Sequence, residues 1–431
     1  MSINLTRDFI FLKEQAICDW ESSKQNSQWT HLQTFDYWHK RQNEKYLNDV
    51  VDQLLNLLRP LTPDDFSSTA IQIQLESFFI EAIIDCPFLM APEKEYLSSS
   101  TQLEASKAFL NQFLAEDGKL SIENLGQAMR NFWIANLLQA CFGKTIQNTE
   151  PLYGYSLLYP YSDNLMDSLT SDKSEKVAFC KRLTAKLHGN LQKGRTSDEI
   201  RIFELVDKIY AEYPIEDFPT VQMGLLAIHE AQLSSLDQQQ SNLMPYEIDL
   251  LGKCFQKGGT SLLADGLLVD PNMTLEFQQF CYGFGAILQL CDDLQDTKTD
   301  FEAHHFTLFS QLKGHYSLDP LLIKMNGFLD HLMDRLRKLN PQSEFDLPLV
   351  ISKNTRLLLF FAILDNERAF TRPFVKDVFK YLPIRPKSLK YLAKKLKNNS
   401  KQMKLFASFM GNDSMLEQSI DELKNNLTSI S

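Results

Sequence analysis

The chain has 431 residues, of which 44% are hydrophobic, and a formal net charge of −11 at pH 7. Such an acidic chain is not expected to bind nucleic acid, since phosphate backbones are recognised by basic surfaces. Its seven cysteines lie singly, with no Cys-x-x-Cys pair, and this spacing argues against both a zinc site and a disulfide framework.

The composition favours long helices over short strands. Glycine and proline number only 16 each, so the predicted fold class is all-α. The first residues lack a basic region followed by an apolar core, and no run of roughly 18 uncharged apolar residues occurs, so a cytoplasmic protein is expected. No element is assigned to residues 1–35. Helical periodicity predicts helices over 43–58, 70–84, 103–114, 122–141, 174–188, 200–212, 220–239, 247–269, 277–296, 320–339 and 347–369.

The first acidic stretch follows an apolar, aromatic run at 152–161. Asp163 and Asp167 lie four residues apart, so on a helix their carboxylates share one face. Pro160 precedes Asp163 by three residues, and a proline inside a helix removes a hydrogen bond. The helix that carries these acids is therefore predicted to kink at Pro160 or to start afresh there, since the first turn of a helix accepts proline.

The predicted helix over 220–239 carries an unusually polar stripe. Two interpretations stay open for it, a solvated face or a lining that orients substrate or water. Its members are His229, Gln232, Ser235 and Gln239.

Two adjacent glycines, Gly258 and Gly259, interrupt the predicted helix over 247–269. Each costs roughly 1 kcal/mol of helix stability relative to alanine. They are expected where a ligand or another backbone comes close. Lys257 lies directly before this break, and its mobile ammonium is a candidate for binding diphosphate, with an exposed lysine as the alternative.

The second acidic stretch ends an almost uninterrupted apolar run that begins at Phe284. Asp292 and Asp296 are four residues apart, with Asp293 beside them. Three carboxylates on one turn repel each other and call for a cation, and Mg²⁺ is the oxygen-preferring candidate. Two such helices facing each other would hold several Mg²⁺ ions over the mouth of an apolar cavity. The expected ligand therefore has a phosphate head and an apolar tail.

The segment 372–404 is strongly basic, with eleven Lys and Arg residues against one acid, Asp377. This balance of +10 leaves −21 for the rest of the chain, whose total is −11. Apolar residues interleave with the lysines, as in helices that lie on membranes. They are Phe374, Val378, Phe379, Leu382, Leu389, Leu392 and Leu396. Two interpretations stay open, namely peripheral membrane contact through 372–404 and packing of the apolar residues on the body.

The predicted organisation has two parts. A single α-helical domain covers 1–371, with N-terminal helices in 1–100 and a motif-bearing core in 120–310. A basic helical segment over 372–431 is expected to pack on that core.

The two acidic stretches resemble a known family. The sequence Leu-Gln-Leu-Cys-Asp-Asp-Leu-Gln-Asp at 288–296 resembles the second aspartate-rich motif of trans-prenyltransferases and other class I isoprenoid enzymes. The sequence Tyr-Ser-Asp-Asn-Leu-Met-Asp at 161–167, with the helix after it, is similar to the large bacterial class IB terpene synthases, the group that contains tetraprenyl-β-curcumene synthase. The segments 129–136 and 257–266 also resemble this group, and the likeness covers 125–310.

The resemblance implies a helical bundle around an apolar cavity, as in class I terpenoid synthases, with extra helices at both ends. It implies several Mg²⁺ ions as cofactors. The implied metal ligands are Asp163, Asp167, Asp292, Asp293 and Asp296. All of them except Asp293 are also implied to be catalytic. The implied diphosphate-binding residues are Lys257, Arg182 and Gln289. The implied activity is a terpene synthase that ionises a long-chain prenyl diphosphate to a linear or cyclic terpene and pyrophosphate.

Two alternatives stay open. A prenyltransferase that extends or joins prenyl chains would have the same fold but needs a second substrate site. A noncatalytic helical scaffold would carry its acids as a solvated surface, yet solvated acids normally occupy the polar stripe of an amphipathic helix. A di-iron site at Glu302 and His305 is not expected, because such sites use the Glu-x-x-His spacing twice.

Overall fold

The computed structural model describes residues 7–26, 28–29, 32–61, 68–118, 120, 122–168, 173–235, 238, 247–341, 343–399 and 402. These residues form 17 α-helices and no β-strand, which confirms the all-α prediction. The chain divides into two compact units. The domain boundaries at 371 and 372 stay a prediction.

The first unit comprises Met1–Gln33, Ile134–Thr145 and Thr149–Tyr381. Its helices are α1 (Arg7–Ser22), α7 (Glu150–Ser168), α8 (Lys173–Leu187), α9 (Ser197–Glu212), α10 (Pro219–Ser235), α11 (Leu250–Val269), α12 (Leu275–Gln295), α13 (Thr297–Glu302), α14 (Asp319–Leu339), α15 (Leu347–Asp365) and α16 (Arg372–Val378).

The second unit comprises Thr34–Trp133, Ile146–Asn148 and Leu382–Ser431. Its helices are α2 (Tyr37–Leu58), α3 (Thr69–Ile84), α4 (Ala91–Leu97), α5 (Ser100–Asp117) and α17 (Pro386–Asn398). The remaining helix, α6 (Ile122–Cys141), begins in the second unit and ends in the first.

Helices α11 and α12 approach each other at backbone distance. A Cβ atom on Gly258 would lie 2.2 Å from the carbonyl oxygen of Gly285, and a Cβ on Gly285 would lie 2.1 Å from that of Gly258. A Cβ on Gly259 would meet the ring of Tyr282 at 2.3 Å. The predicted break at the glycine pair is wrong, because α11 runs without interruption from Leu250 to Val269. Here the glycines permit close packing, and that contact offsets their low helix propensity.

The first helix places Trp20 between two other aromatic rings of the first unit. Its indole meets Phe255 of α11 and Phe328 of α14 edge-on, with centroids 5.8 and 5.6 Å apart. Such edge-to-face pairs are worth about 0.5–1.5 kcal/mol beyond the area that they bury. Helix α1 is therefore part of the core of this unit.

Helix α7 contains Pro160 in its interior, so the predicted fresh start at this residue is wrong. Close packing of the two turns before the proline fixes the helix. A Cβ on Gly154 would lie 2.9 Å from the carbonyl oxygen of Leu205 in α9, and the Tyr155 hydroxyl donates to the carbonyl oxygen of Ser261 in α11 at 3.0 Å. These contacts offset the backbone hydrogen bond that the proline lacks.

Helix α15 is long and apolar enough to cross a membrane by length and composition alone, but 67% of its apolar window is buried inside the protein. Its interior holds Arg356, which is fully buried. The guanidinium donates to Asn326 Oδ1 at 2.8 Å and pairs with Asp330 of α14. A buried charge of this kind requires such partners, and α15 therefore serves as a core helix of the first unit.

Helix α17 of the second unit packs against α2. The side chain of Leu392 is buried, as are Leu382 and Ile384 just before the helix. Lys395 pairs with Asp52 of α2 at 2.8 Å. Much of the apolar side of this segment is thus covered by protein, as one of the two interpretations from sequence expected, while membrane contact through 372–404 stays a prediction.

Candidate functional site

The second acidic stretch forms the C-terminal end of α12. Asp292 and Asp296 are exposed one turn apart, whereas Asp293 is turned towards the protein. At the end of the helix, side chains donate hydrogen bonds to one of the last carbonyl oxygens. Thr297 Oγ1 donates to the carbonyl oxygen of Leu294 at 2.7 Å, and Asn366 Nδ2 donates to the same oxygen at 3.0 Å. The acidic turn is therefore held firmly at the end of a buried helix.

The electrostatics of this turn are unfavourable for carboxylates. The C-terminal end of a helix carries a partial negative charge, which opposes further anions. Burial raises the pKa of Asp293 to about 6, although the Gln289 hydrogen bond and the charge of Lys257 pull it down. Burial and the neighbouring Asp292 and Asp300 raise the pKa of Asp296. A bound cation would stabilise the ionised form of these carboxylates and offset their repulsion from each other and from the helix end.

Helix α11 brings Lys257 to the acidic turn. The ammonium is close enough to lower the pKa of both Asp293 and Asp296. The next residue, Gly258, makes this possible, because a Cβ there would lie 2.6 Å from the Cβ of Gln289. The candidate lysine and the acids predicted from sequence are thus brought together by a close helix contact.

Two other predicted diphosphate-binding residues are already hydrogen-bonded. Gln289 Nε2 donates to Asp293 Oδ1 at 2.8 Å. Arg182 donates from two nitrogens to the buried carboxylate of Glu199, at 2.5 and 3.2 Å, and so joins α8 to the start of α9. Their role in diphosphate binding stays a prediction, and Lys257 is the cation that lies beside the acids.

The first acidic stretch lies on α7, where Asp163 and Asp167 fall one turn apart near the end of the helix. Their side chains lie outside the described part of the structure. The predicted pairing of the two acidic turns therefore stays a prediction. Among the side chains that are described, no group of three or more His, Cys, Asp or Glu is arranged to hold a metal ion.

The residues that are described fit a Mg²⁺ site completed by a substrate. Mg²⁺ is usually held by one or two carboxylates, with water and phosphate oxygens filling its other positions. Asp292 and Asp296 supply two exposed carboxylates that have no hydrogen bond or ion pair with another described side chain. They, with Asp163 and Asp167, would hold the metal. Asp293 accepts a hydrogen bond from Gln289, and its predicted role as a further metal ligand stays a prediction.

One acid of this region was missed from sequence. Asp300 follows Asp296 by four residues and helps to raise its pKa. Its carboxylate also lies 3.4 Å from Nδ1 of His305. The repeat of Asp292, Asp296 and Asp300 at steps of four could have revealed it. Glu302, which the sequence pairs with His305, instead faces Lys298 at 3.9 Å.

The polar stripe of α10 is not a solvated face at His229. This side chain is buried, and its Nε2 lies 2.9 Å from the hydroxyl of Thr184. Burial lowers the pKa of His229 to about 4, so the ring is neutral at physiological pH. Gln232 and Ser235 are half-buried, and Gln239 lies outside the described residues.

Helix α11 also carries a buried acid that does not belong to this site. Asp265 is 6% exposed, and its Oδ1 has no hydrogen-bond partner among the described residues. Burial raises the pKa of Asp265 well above its usual range. The folded chain therefore keeps a proton that the unfolded chain releases near pH 4. As the pH rises above that value, the folded state loses stability relative to the unfolded state until the folded pKa is passed.

We expect Asp265→Asn to remove this pH dependence. Between pH 4 and 8 its free energy of unfolding should rise relative to the wild type, with a slope of up to about 1.4 kcal/mol per pH unit. Urea unfolding at several pH values measures the difference. Asp217→Asn, which changes an exposed carboxylate of the same unit, is the control and should track the wild type. If the free energy of unfolding changed with pH in the same way for all three proteins, the prediction would be contradicted.

The chain matches no protein-family model, no curated protein and no solved structure.

Proposed function

We propose that this chain is a Mg²⁺-dependent terpene synthase of class I, which ionises a long prenyl diphosphate to a linear or cyclic terpene and pyrophosphate. The observation that carries the proposal is the exposed carboxylate pair of Asp292 and Asp296 at the end of α12, with Lys257 beside it. The protein is proposed to act in the cytoplasm.

The position of the acids favours this function over a noncatalytic scaffold. Three carboxylates at the negative end of a helix repel each other and the helix dipole. A scaffold has no need of such an arrangement, since acids on its solvated face could lie far apart. A site that must attract a cation and release it with its product benefits from the same repulsion.

The chain's own residues would perform three tasks. Asp163, Asp167, Asp292 and Asp296 would bind the metal, and the ammonium of Lys257 would stabilise the negative charge that develops on the departing diphosphate. Bound Mg²⁺ supplies Lewis-acid neutralisation of that same charge. The predicted apolar cavity between the helices, which stays a prediction, would shield the prenyl cation from water.

The decisive experiment supplies substrates of known length. The protein is incubated with Mg²⁺ and prenyl diphosphates of increasing chain length, with and without isopentenyl diphosphate, and hydrocarbons are extracted. A hydrocarbon from one allylic diphosphate alone supports a synthase. A strict requirement for isopentenyl diphosphate would favour the alternative, a prenyltransferase, and no product under any condition would contradict both.

We also expect Mg²⁺ and pyrophosphate to stabilise the protein synergistically. Metal alone binds a few carboxylates weakly, and pyrophosphate alone is repelled by them. Together they neutralise each other at the site. Ligand at about 100 times its dissociation constant contributes roughly 2.7 kcal/mol, which corresponds to a shift on the order of 1–3 °C in a chain of this length.

Thermal melts with Mg²⁺, with pyrophosphate and with both measure this effect. The shift with both should exceed the sum of the two separate shifts, so any binding of pyrophosphate elsewhere is subtracted. Asp292→Ala should lose the excess. Additive shifts in the wild type, or an excess that persists in the variant, would show that these acids do not form a shared metal–diphosphate site.

A further inference from the structure

A cleft of about 360 Å³ opens between α2 and α17 within the second unit. Its lining is rich in cations, in contrast to the net acidity of the chain. The lining residues are Arg41, Glu44, Lys45, Asn48, Lys387, Ser388 and Tyr391. This cleft has no part in the site described above.

The acid of the cleft is already neutralised. Glu44 is 4% exposed, and both of its carboxylate oxygens accept hydrogen bonds from the Arg385 guanidinium at 2.6 Å. The backbone N–H of Arg385 adds a third bond at 3.0 Å. These contacts hold the pKa of Glu44 at about 2, so it stays ionised and paired. The pair joins α2 to the start of α17, and its acid, Glu44, lines the cleft.

In the described part of the chain, the other cations that line the cleft have no carboxylate of their own to neutralise them. Lys45 and Lys387 are exposed, and neither has an acidic partner among the described residues. Arg41 lies 3.6 Å from Glu44, but that carboxylate is shared with Arg385. With Arg385 and Glu44 cancelling each other, the cleft holds an excess of three positive charges. A dianion is the ligand that such an excess attracts.

We infer that the cleft between α2 and α17 binds a phosphate-bearing anion. Arg41, Lys45 and Lys387 would neutralise the phosphate. The Asn48 amide and the Ser388 side chain of the same lining already hydrogen-bond to Glu44, so recognition rests on the three cations. Phosphate is favoured over a single carboxylate because it carries up to two charges and several acceptor oxygens. The phosphate could come from a soluble molecule or from the headgroup of a lipid, and both present the same chemistry to the cleft.

The first test measures pyrophosphate binding by calorimetry in EDTA, in which a Mg²⁺-dependent site contributes nothing. Asp292→Ala should bind pyrophosphate as the wild type does, so this result is independent of the proposed catalytic function. The double variant Lys45→Glu/Lys387→Glu should bind at least about tenfold more weakly. Circular dichroism and the melting temperature establish that this variant is folded, and Lys45→Gln/Lys387→Gln provides a milder replacement.

The second test uses sedimentation with vesicles of phosphatidylcholine, alone or with phosphatidic acid or phosphatidylglycerol. The control variant is Lys394→Glu/Lys397→Glu, which reverses two exposed charges of α17 that do not line the cleft. Loss of binding in the cleft variant alone, to pyrophosphate or to vesicles, supports the inference and identifies the source of the phosphate. Equal losses in both double variants would indicate diffuse attraction to the lysines of α17 and overturn it. Absence of binding to pyrophosphate and to every vesicle would also overturn it.

Discussion

Asp292→Ala is expected to abolish turnover of a prenyl diphosphate while leaving the helical fold intact. The variant removes one of the two exposed carboxylates of the acidic turn of α12. Loss of a metal ligand should cost several kcal/mol of transition-state stabilisation, and about 1.4 kcal/mol corresponds to a tenfold loss of rate. The same change relieves repulsion from Asp296 and from the negative end of the helix, so stability should hold or rise.

Steady-state rates and thermal melts on the same preparations test both halves of this prediction. Asp292→Asn keeps the shape of the side chain and should be as inactive as the alanine variant, because it lacks the charge. Glu302→Ala, which changes an exposed acid beyond the turn, is the control and should keep its rate. An Asp292→Ala variant with more than about a tenth of the wild-type rate would speak against direct ligation by this residue.

Periodic apolar spacing predicted most helices, because it reports the face that each helix buries. Helix α6 has the predicted bounds, Ile122–Cys141, and α3 starts one residue before the predicted 70–84. Helix α1 was missed, although its buried residues Phe9, Leu12, Ala16 and Trp20 follow the same spacing. Further apolar residues between them, such as the exposed Ile10 and Phe11, blurred that signal.

The two wrong helix predictions share a physical cause. Pro160 and the pair Gly258 and Gly259 have poor intrinsic helix propensity, so local reasoning predicted a break at the glycines and, as one of two alternatives, a fresh start at Pro160. Tertiary contacts override that propensity in α7 and α11. The packing partners, such as Leu205 and Gly285, are distant in sequence, so no local pattern could identify them.

The candidate site could be predicted only in part. Its acids were visible because three carboxylates end an apolar run, and Lys257 was visible beside the glycines. The inward orientation of Asp293 and the commitment of Arg182 to Glu199 depend on neighbouring helices. A list of polar residues does not distinguish side chains that face solvent from those already paired.

Gly258→Ala is expected to destabilise the protein strongly, although alanine is the better helix former. Its Cβ would lie 2.2 Å from the carbonyl oxygen of Gly285 and 2.6 Å from the Cβ of Gln289. Both obstacles belong to α12, so the two helices must move apart. Overpacking of this kind costs about 1–3 kcal/mol and sometimes more. The separation would also withdraw Lys257 from the acids, so activity should fall with stability.

Denaturant unfolding followed by circular dichroism measures the loss, with Gly126→Ala as a matched control. A Cβ on Gly126 meets no atom within 4 Å, so this variant should gain about 0.5–1 kcal/mol from helix propensity alone. The double variant Gly258→Ala/Gly285→Ala adds a sharper test. Once one Cβ has forced the helices apart, the second meets less resistance, and the combined loss should be smaller than the sum of the single losses. Strictly additive losses, or a Gly258→Ala variant as stable as Gly126→Ala, would mean that the backbones of α11 and α12 do not touch at these glycines.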